Sequence, residues 1–374
     1  MEAVGCPAIM SWAPYGKRGA ALNFDAFGHP NRMDVHRDWE DGLEAFEGPV
    51  PAYWVSMGYA VLNPDPRGVF NSEGDIWAWG EQDALDCYDF IEWLAQREWC
   101  NGKVGLTGVS WLAMTQYYIA AANPPHLAAI APWEGVWDLY REAIVRGGIP
   151  DMTFNEAIFS VLFGNNMVED LSVMTENHPL FDAYWKGKVA KLEKITVPAY
   201  VVASWTSMLH AQGSVQAWKH IASREKWLRT HDTMEWPNYF NPAHVEDLRR
   251  FFDYYLKGVE NDWPSTPRVR LTVLDPGNES THDRVEADFP LAHQHVRTLY
   301  LSDKEGDYTL DDTSPDISRE AVYSSEQGEK VVFSIKFDEV TEITGYINLK
   351  LWVEARGHDD MDIFAYVRKR DRNG

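Results

Sequence analysis

A serine lies in a strand–turn–helix pattern that can hold a catalytic nucleophile. The turn Gly108-Val109-Ser110 follows the short apolar strand Val104–Leu106, and residues with helical spacing follow the turn. Such a nucleophile elbow exposes the serine hydroxyl at the end of a strand. Glycine two residues before the serine fits the strained turn, whereas Leu112 stands where the full G-x-S-x-G pattern has its second glycine. We therefore interpret Ser110 as the candidate nucleophile, with a helix-capping serine as the alternative.

Apolar strands and amphipathic helices alternate along residues 1–262, and these elements must position the serine. Continuous apolar strands separated by helices predict a parallel sheet that is covered on both faces. Residues 136–194 interrupt this order with a mainly helical, compositionally mixed segment, which we interpret as a cap insertion. The predicted strands are Cys6–Trp12, Tyr59–Asn63, Val104–Leu106, Leu127–Pro132, Val197–Ser204 and Lys226–His231.

The sequence changes character after Trp263. Short β-type segments alternate with turns rich in Asp, Gly, Ser and Pro, a pattern typical of a β-sandwich. We predict a second, all-β domain over residues 263–374. Its predicted strands are Arg268–Leu274, Arg297–Leu301, Lys330–Ile335 and Tyr346–Val353.

Composition and charge exclude several classes of partner. The chain carries 57 acidic and 34 basic residues, a net charge of −23, which argues against nucleic acid and anionic membrane surfaces. No apolar run approaches the roughly 20 residues of a membrane span. Three cysteines without a C-x-x-C pair predict reduced thiols in a cytoplasmic protein. We predict neither cofactor nor metal, because Asp359, Asp360 and Asp362 lack the spacing and glycine of a calcium loop.

Several blocks of sequence carry a family resemblance, in the same order along the chain. These blocks are Pro14-Tyr15-Gly16-Lys17, Asp65-Pro66-Arg67-Gly68 with Ser72-Glu73-Gly74, Trp99-Cys100-Asn101-Gly102-Lys103-Val104-Gly105 with Gly108-Val109-Ser110-Trp111, and Arg249, Phe252 and Asp253 with Leu256-Lys257-Gly258. Together they resemble the cocaine esterase and X-Pro dipeptidyl-peptidase type of serine hydrolase. The resemblance implies an α/β-hydrolase domain followed by a jelly roll.

The two ends depart from this family pattern. Family members have strands upstream of the one that ends in the Tyr15 loop, and their jelly roll continues beyond Gly374. We therefore expect a chain truncated at both ends, with a partial jelly roll. Tyr59–Asn63 would then lie at an open sheet edge, which predicts low solubility or a homo-oligomer. Apolar residues of the β domain should be partly uncovered; they are Val331, Phe333, Ile335, Leu349 and Leu351.

The resemblance also implies roles for individual residues. The Tyr15 phenol and the backbone N–H of Trp111 would hold the oxyanion of a tetrahedral intermediate. His231 would take the serine proton, because it follows the strand whose loop carries the base in this fold, and His210 is the competitor. The expected substrate is a small-molecule acyl ester or a short peptide. Ester hydrolysis is favoured because no carboxylates stand out for binding a free amino terminus, and an inactive binding relative is the second class.

The triad acid is missing from its usual place. Trp205-Thr206-Ser207 stands where the family pattern W-x-D has its aspartate. Glu134 follows the neighbouring strand Leu127–Pro132 directly, so it could reach the same imidazole, with a helix-capping role as the alternative. The other acidic candidates are Asp232, Glu235 and Asp247.

Tryptophans cluster in the loops that follow strand ends, where ligands bind to open parallel sheets. Some would line an acyl pocket and others would belong to the core. They are Trp77, Trp79, Trp133, Trp137 and Trp205.

Overall fold

The protein is built on one eight-stranded sheet, seen in a computed structural model that describes residues 5–17, 23–25, 31–162, 164–275, 277, 279–304 and 306–370. The strand order is β10-β9-β8-β7-β4-β3-β1-β2. The eight strands are β1 Cys6–Met10, β2 Ala60–Leu62, β3 Cys100–Val109, β4 Leu127–Trp133, β7 Ala199–Ser204, β8 Lys226–His231, β9 Val269–Val273 and β10 Thr281–Glu286. All pairs except β9–β10 are parallel, as the apolar strand pattern predicts.

Strand β2 closes one side of the sheet and pairs only with β1 in the described chain. This confirms the predicted edge position of the segment Tyr59–Asn63. Edge strands present unpaired N–H and C=O groups to other chains. The homo-oligomer stays a prediction.

Helices cover the sheet. Helix α3 is buried along ten of its residues, because it packs directly on the strand that it follows. Among the described residues, no helix combines the length and apolar character needed to cross a bilayer. The helices outside the cap are α1 Pro51–Ser56, α2 Glu81–Ala95, α3 Trp111–Ala121, α7 Ala211–His220, α8 Glu235–Phe240 and α9 Pro242–Phe252.

The cap region contains short helices, as expected, together with a small hairpin that the sequence pattern missed. The elements are a π-helical turn Tyr140–Ile144, strands β5 Val145–Arg146 and β6 Ile149–Pro150, and helices α4 Met152–Ser160, α5 Leu171–Asn177 and α6 Ala183–Lys186. Asp151, Asp170 and Asp182 cap the three helices by accepting backbone N–H bonds. The hairpin has two residues on each side, too short for an alternating pattern to show.

The C-terminal region differs from its predicted strand list. Strand β9 pairs with β8, so the predicted strand Arg268–Leu274 lies next to the last parallel strand of the central sheet, and the domain boundary at residue 263 stays a prediction. The chain divides into two compact units, Met1–Glu286 with Glu354–Gly374, and Ala287–Val353. In the second unit, β11 Tyr300–Lys304 and β12 Asp307–Asp311 form an antiparallel hairpin.

The last two predicted strands do not form regular strands. Within 330–335 only Ser334 pairs with β12, through backbone bonds with Leu310 and Tyr308, and Tyr346–Val353 has no strand neighbour in the described chain. A β-propensity pattern becomes a strand only where a neighbour completes its ladder. Leu349 is 50% exposed and Leu351 is 39% exposed, while Val331, Phe333 and Ile335 are half-buried.

Candidate active site

Ser110 occupies a strained turn between β3 and α3. Its φ of 53° and ψ of −114° lie outside the regions that L-residues normally adopt. Its backbone N–H donates to the carbonyls of Trp133 at 3.2 Å and Glu134 at 3.1 Å, which ties the turn to the end of β4. The side chain makes no capping bond to α3. The hydroxyl is therefore free for chemistry, unlike that of a capping serine.

Gly108 is required by this turn. Its φ is +143°, and a Cβ there would stand 2.6 Å from the Cβ of Leu112. Leu112 replaces the second glycine of the elbow pattern, and its side chain fills the space that Gly108 leaves open. The departure from the G-x-S-x-G pattern is thus compatible with the elbow geometry.

His210 is the histidine that contacts the serine. Its Nε2 lies 3.3 Å from Ser110 Oγ, at the start of α7. The sequence favoured His231 and kept His210 as the competitor. Among the described contacts of Ser110 Oγ, His231 does not appear. The structure thus brings together the nucleophile and the second of the two candidate bases.

The second ring nitrogen of His210 faces a hydroxyl. Ser207 Oγ lies 3.3 Å from Nδ1 and also accepts the His210 backbone N–H at 3.2 Å. Arg146 from the cap hairpin donates to the carbonyl of Met208 at 3.0 Å, within the same turn. No carboxylate is among the described hydrogen-bond or ion-pair partners of His210. In the sequence, Ser207 stands in the place of the missing triad aspartate, and its position three residues before His210 is the signal for this contact.

Burial and, to a smaller extent, the positive charge of Arg146 lower the pKa of His210 to about 4. A histidine acts as a base only when neutral, so this base stays competent as the pH falls. We expect kcat/KM for an ester to stay level below neutrality and to drop by half near pH 4. A pH–rate profile measures this. An acidic limb near pH 6.5, about the ordinary histidine value, would contradict it.

His231 is paired with Glu134 instead. Its Nε2 lies 2.7 Å from Glu134 Oε1, although the two atoms lack the alignment of a hydrogen bond. Its Nδ1 accepts the backbone N–H of Thr233 at 3.4 Å. Burial lowers the pKa of His231 to about 2 and, with the nearby Glu235 charge, raises that of Glu134. Burial therefore favours the neutral form of each group.

The remaining acidic candidates have other partners or surroundings. Asp232 faces His282 at 3.7 Å, and Asp247 accepts from Arg270 at 2.7 Å. Glu235 is buried, and burial raises its pKa. The described contacts connect none of them to His210.

The predicted oxyanion donors are the backbone N–H of Trp111 and the phenol of Tyr15. The N–H of Trp111 lies in the first turn of α3, where N–H groups have no partner within the helix. Tyr15 is buried, and its ring packs edge-on against the Trp111 ring at 6.1 Å between centroids. In the described part of the chain its hydroxyl has no hydrogen-bond partner. Burial and the Glu47 charge raise its pKa, so the phenol keeps its proton.

The tryptophans separate into different environments. Trp79 stacks on Trp111 with 3.8 Å between centroids, next to the elbow. Trp133 is fully buried in the core, and Trp77 is 56% exposed. Trp205 donates its indole N–H to the Thr272 carbonyl at 2.6 Å. The indole nitrogen of Trp137 is buried without a hydrogen-bond partner in the described chain.

Within the residues that the structure describes, no group of three or more His, Cys, Asp or Glu side chains could hold a metal ion. The three aspartates Asp359, Asp360 and Asp362 are exposed. Cys6, Cys87 and Cys100 are free thiols, and the cytoplasmic location stays a prediction.

A parallel sheet with Ser110 at a strained elbow and a histidine on its hydroxyl defines the class of α/β hydrolases. Residues 2–171 match the X-Pro dipeptidyl-peptidase (S15 family) model, and residues 261–374 match the X-Pro dipeptidyl-peptidase C-terminal non-catalytic domain. The chain belongs to the cocaine esterase and X-Pro dipeptidyl-peptidase family of serine hydrolases.

Individual relatives agree with this assignment. A cocaine esterase from Rhodococcus sp. (strain MB1 Bresler) is 42% identical over 314 residues, which cover 66% of this chain and 53% of the esterase. A putative Xaa-Pro dipeptidyl-peptidase from Streptomyces avermitilis is 22% identical over 301 residues, covering 71% and 42% of the two chains. The crystal structure of a CocE/NonD family hydrolase from Staphylococcus aureus superposes with a TM-score of 0.74 at 36% identity, covering 83% of this chain and 55% of that one. The chain thus spans about half the length of these relatives.

Proposed function

We propose that the protein is a serine hydrolase that cleaves an ester through an acyl-enzyme on Ser110. The observation that carries the proposal is the contact between Ser110 Oγ and His210 Nε2 at a strained elbow. A serine hydroxyl becomes a nucleophile only when a base accepts its proton. His210 is only 4% exposed, so the surrounding protein holds its ring next to the serine hydroxyl.

The reaction follows from the positions of these groups. Ser110 Oγ attacks the ester carbonyl while His210 takes its proton, and the carbonyl oxygen becomes an oxyanion. The N–H of Trp111 and the phenol of Tyr15 donate to that oxygen. His210 then protonates the departing alcohol, and water, deprotonated by His210, releases the acid.

Ester cleavage is preferred to peptide cleavage within this site. The relative with 42% identity is named a cocaine esterase, whereas the relatives named as Xaa-Pro dipeptidyl-peptidases from Streptomyces avermitilis and Bacillus anthracis are 22% and 23% identical. A dipeptidyl peptidase also needs carboxylates that bind a free amino terminus. The carboxylates near the elbow, Glu47 and Glu134, are buried, and burial raises their pKa values. Buried carboxyls of that kind are not accessible to the ammonium group of a substrate.

Labelling with a fluorophosphonate tests the proposal. The native protein should form a covalent adduct on the peptide that contains Ser110, and the Ser110→Ala variant should form none. The same preparation should hydrolyse p-nitrophenyl esters faster than Xaa-Pro p-nitroanilides. Native protein that is folded and remains unlabelled would favour the inactive relative, and faster anilide cleavage would favour the peptidase.

A further inference from the structure

Ser207 holds His210 at two points. Its Oγ accepts the His210 backbone N–H at 3.2 Å and lies 3.3 Å from the ring nitrogen Nδ1. The Ala211 N–H donates to the Ser207 carbonyl at 3.3 Å, which closes the turn. One hydroxyl therefore contacts both the backbone and the ring of the histidine that faces the nucleophile.

We propose that Ser207 is a positioning residue whose hydroxyl replaces the triad carboxylate on Nδ1 of His210. This inference rests on the proposed function, in which His210 is the base. It gives the site a Ser110–His210–Ser207 arrangement in which the base has a neutral partner.

The proton balance explains how a hydroxyl can serve here. To accept the Ser110 proton, Nε2 must be unprotonated, so the neutral ring carries its proton on Nδ1 and donates it to Ser207 Oγ. After proton transfer both ring nitrogens carry protons, and Ser207 Oγ still accepts the one on Nδ1. No proton leaves Ser207 at any step. A hydroxyl can also donate to Nδ1, so it favours the productive tautomer less strictly than a carboxylate does.

The positive charge of Arg146 lies near a His210 ring whose Nδ1 partner, Ser207, is uncharged. Arg146 is the charged side chain that acts on the ring, and it is held in place by Asp151 at 3.0 Å and by the Met208 carbonyl. A carboxylate at position 207 would offset this positive charge and stabilise the imidazolium. With serine, the partner of Nδ1 is a hydroxyl oxygen, which still accepts the ring proton but carries no charge.

Nitrogen NMR of histidine-labelled protein, combined with kinetics, tests this role. In the native protein the neutral His210 ring should be protonated on Nδ1. Ser207→Ala should mix the tautomers and lower kcat about tenfold, the value of one net hydrogen bond, whereas Ser207→Thr should restore both. Ser207→Asp should move the acidic limb of kcat/KM to higher pH by about one to three units, because it places a negative charge beside the ring.

The outcomes separate the two proposals. An Ser207→Ala protein with unchanged tautomer and unchanged kcat would overturn the positioning role, and so would an unchanged acidic limb in Ser207→Asp. Thermal unfolding of each variant shows whether it is folded, and Ser207→Asp and Ser207→Thr remain informative if the alanine variant is not. The tautomer measurement needs no turnover, so a native protein without hydrolysis would overturn the proposed function alone.

Discussion

Replacing either Ser110 or His210 with alanine is expected to lower kcat for ester hydrolysis by about 10⁶, and replacing both should lower it little further. In the proposed mechanism the two groups act as one unit, because the hydroxyl attacks only when the imidazole takes its proton. Once one partner is lost, the other has nothing left to contribute. Steady-state kinetics of the two single variants and the double variant measure this non-additivity. If the losses of kcat from the two single variants were additive in the double variant, this result would contradict a step shared by Ser110 and His210.

The pair His231–Glu134 supplies the matched control. His231→Gln and Glu134→Gln should each change kcat by no more than about tenfold, because both substitutions keep the size and polarity of a neutral buried group. Burial raises the pKa of Glu134, which favours the protonated carboxyl, and an amide resembles that form in size and polarity. If His231 were the base, the loss of kcat in His231→Gln would approach that in His210→Ala. A loss of kcat of about 10⁴ in Glu134→Gln would identify Glu134 as the triad acid.

Lys188→Met is expected to lower the free energy of unfolding by about 3–5 kcal/mol. The Lys188 ammonium lies 2.7 Å from Glu169 Oε2, with side-chain exposures of 7% and 3%. It also donates to the carbonyls of Ala78 and Trp79. Methionine would leave the Glu169 charge buried without a cation. An unpaired buried charge strongly destabilises the folded protein. Urea denaturation of the native and variant proteins measures the change.

Two further variants test whether the buried, unpaired charge causes this loss of stability. Lys188→Met combined with Glu169→Leu should recover much of the lost stability, because no unpaired charge remains. Lys304→Met removes the exposed pair with Asp311, in which the lysine side chain is 62% exposed, and should cost no more than about 1 kcal/mol. Equal losses in Lys188→Met and Lys304→Met would contradict the importance of burial.

The same ion pair connects the cap to the elbow. Lys188 holds the Trp79 carbonyl, and the Trp79 ring stacks on Trp111, whose N–H is a proposed oxyanion donor. Neither lysine nor glutamate stood out in the sequence, because a single charge in a mixed helical segment predicts a solvated surface. Their burial follows from the contact between residues far apart in the chain, here 78–79 with 169 and 188.

The sequence by itself determined the parallel sheet, the elbow at Ser110 and the family. Each of these depends on local pattern: apolar runs bounded by turns, Gly108 two residues before a serine, and blocks that match in order. Strand β8 has the predicted bounds Lys226–His231, although Trp227 and Leu228 are its only apolar residues.

Only the tertiary structure decided which histidine meets the serine and which strands pair. His210 lies in the turn between β7 and α7, whereas His231 is the last residue of β8. Ser207 and Thr233 each form a local hydrogen bond with the nearby histidine. The pairing of β9 with β8 likewise depends on a partner distant in sequence. Local pattern specifies a residue's own conformation, whereas distance across the fold is set by how separate elements pack.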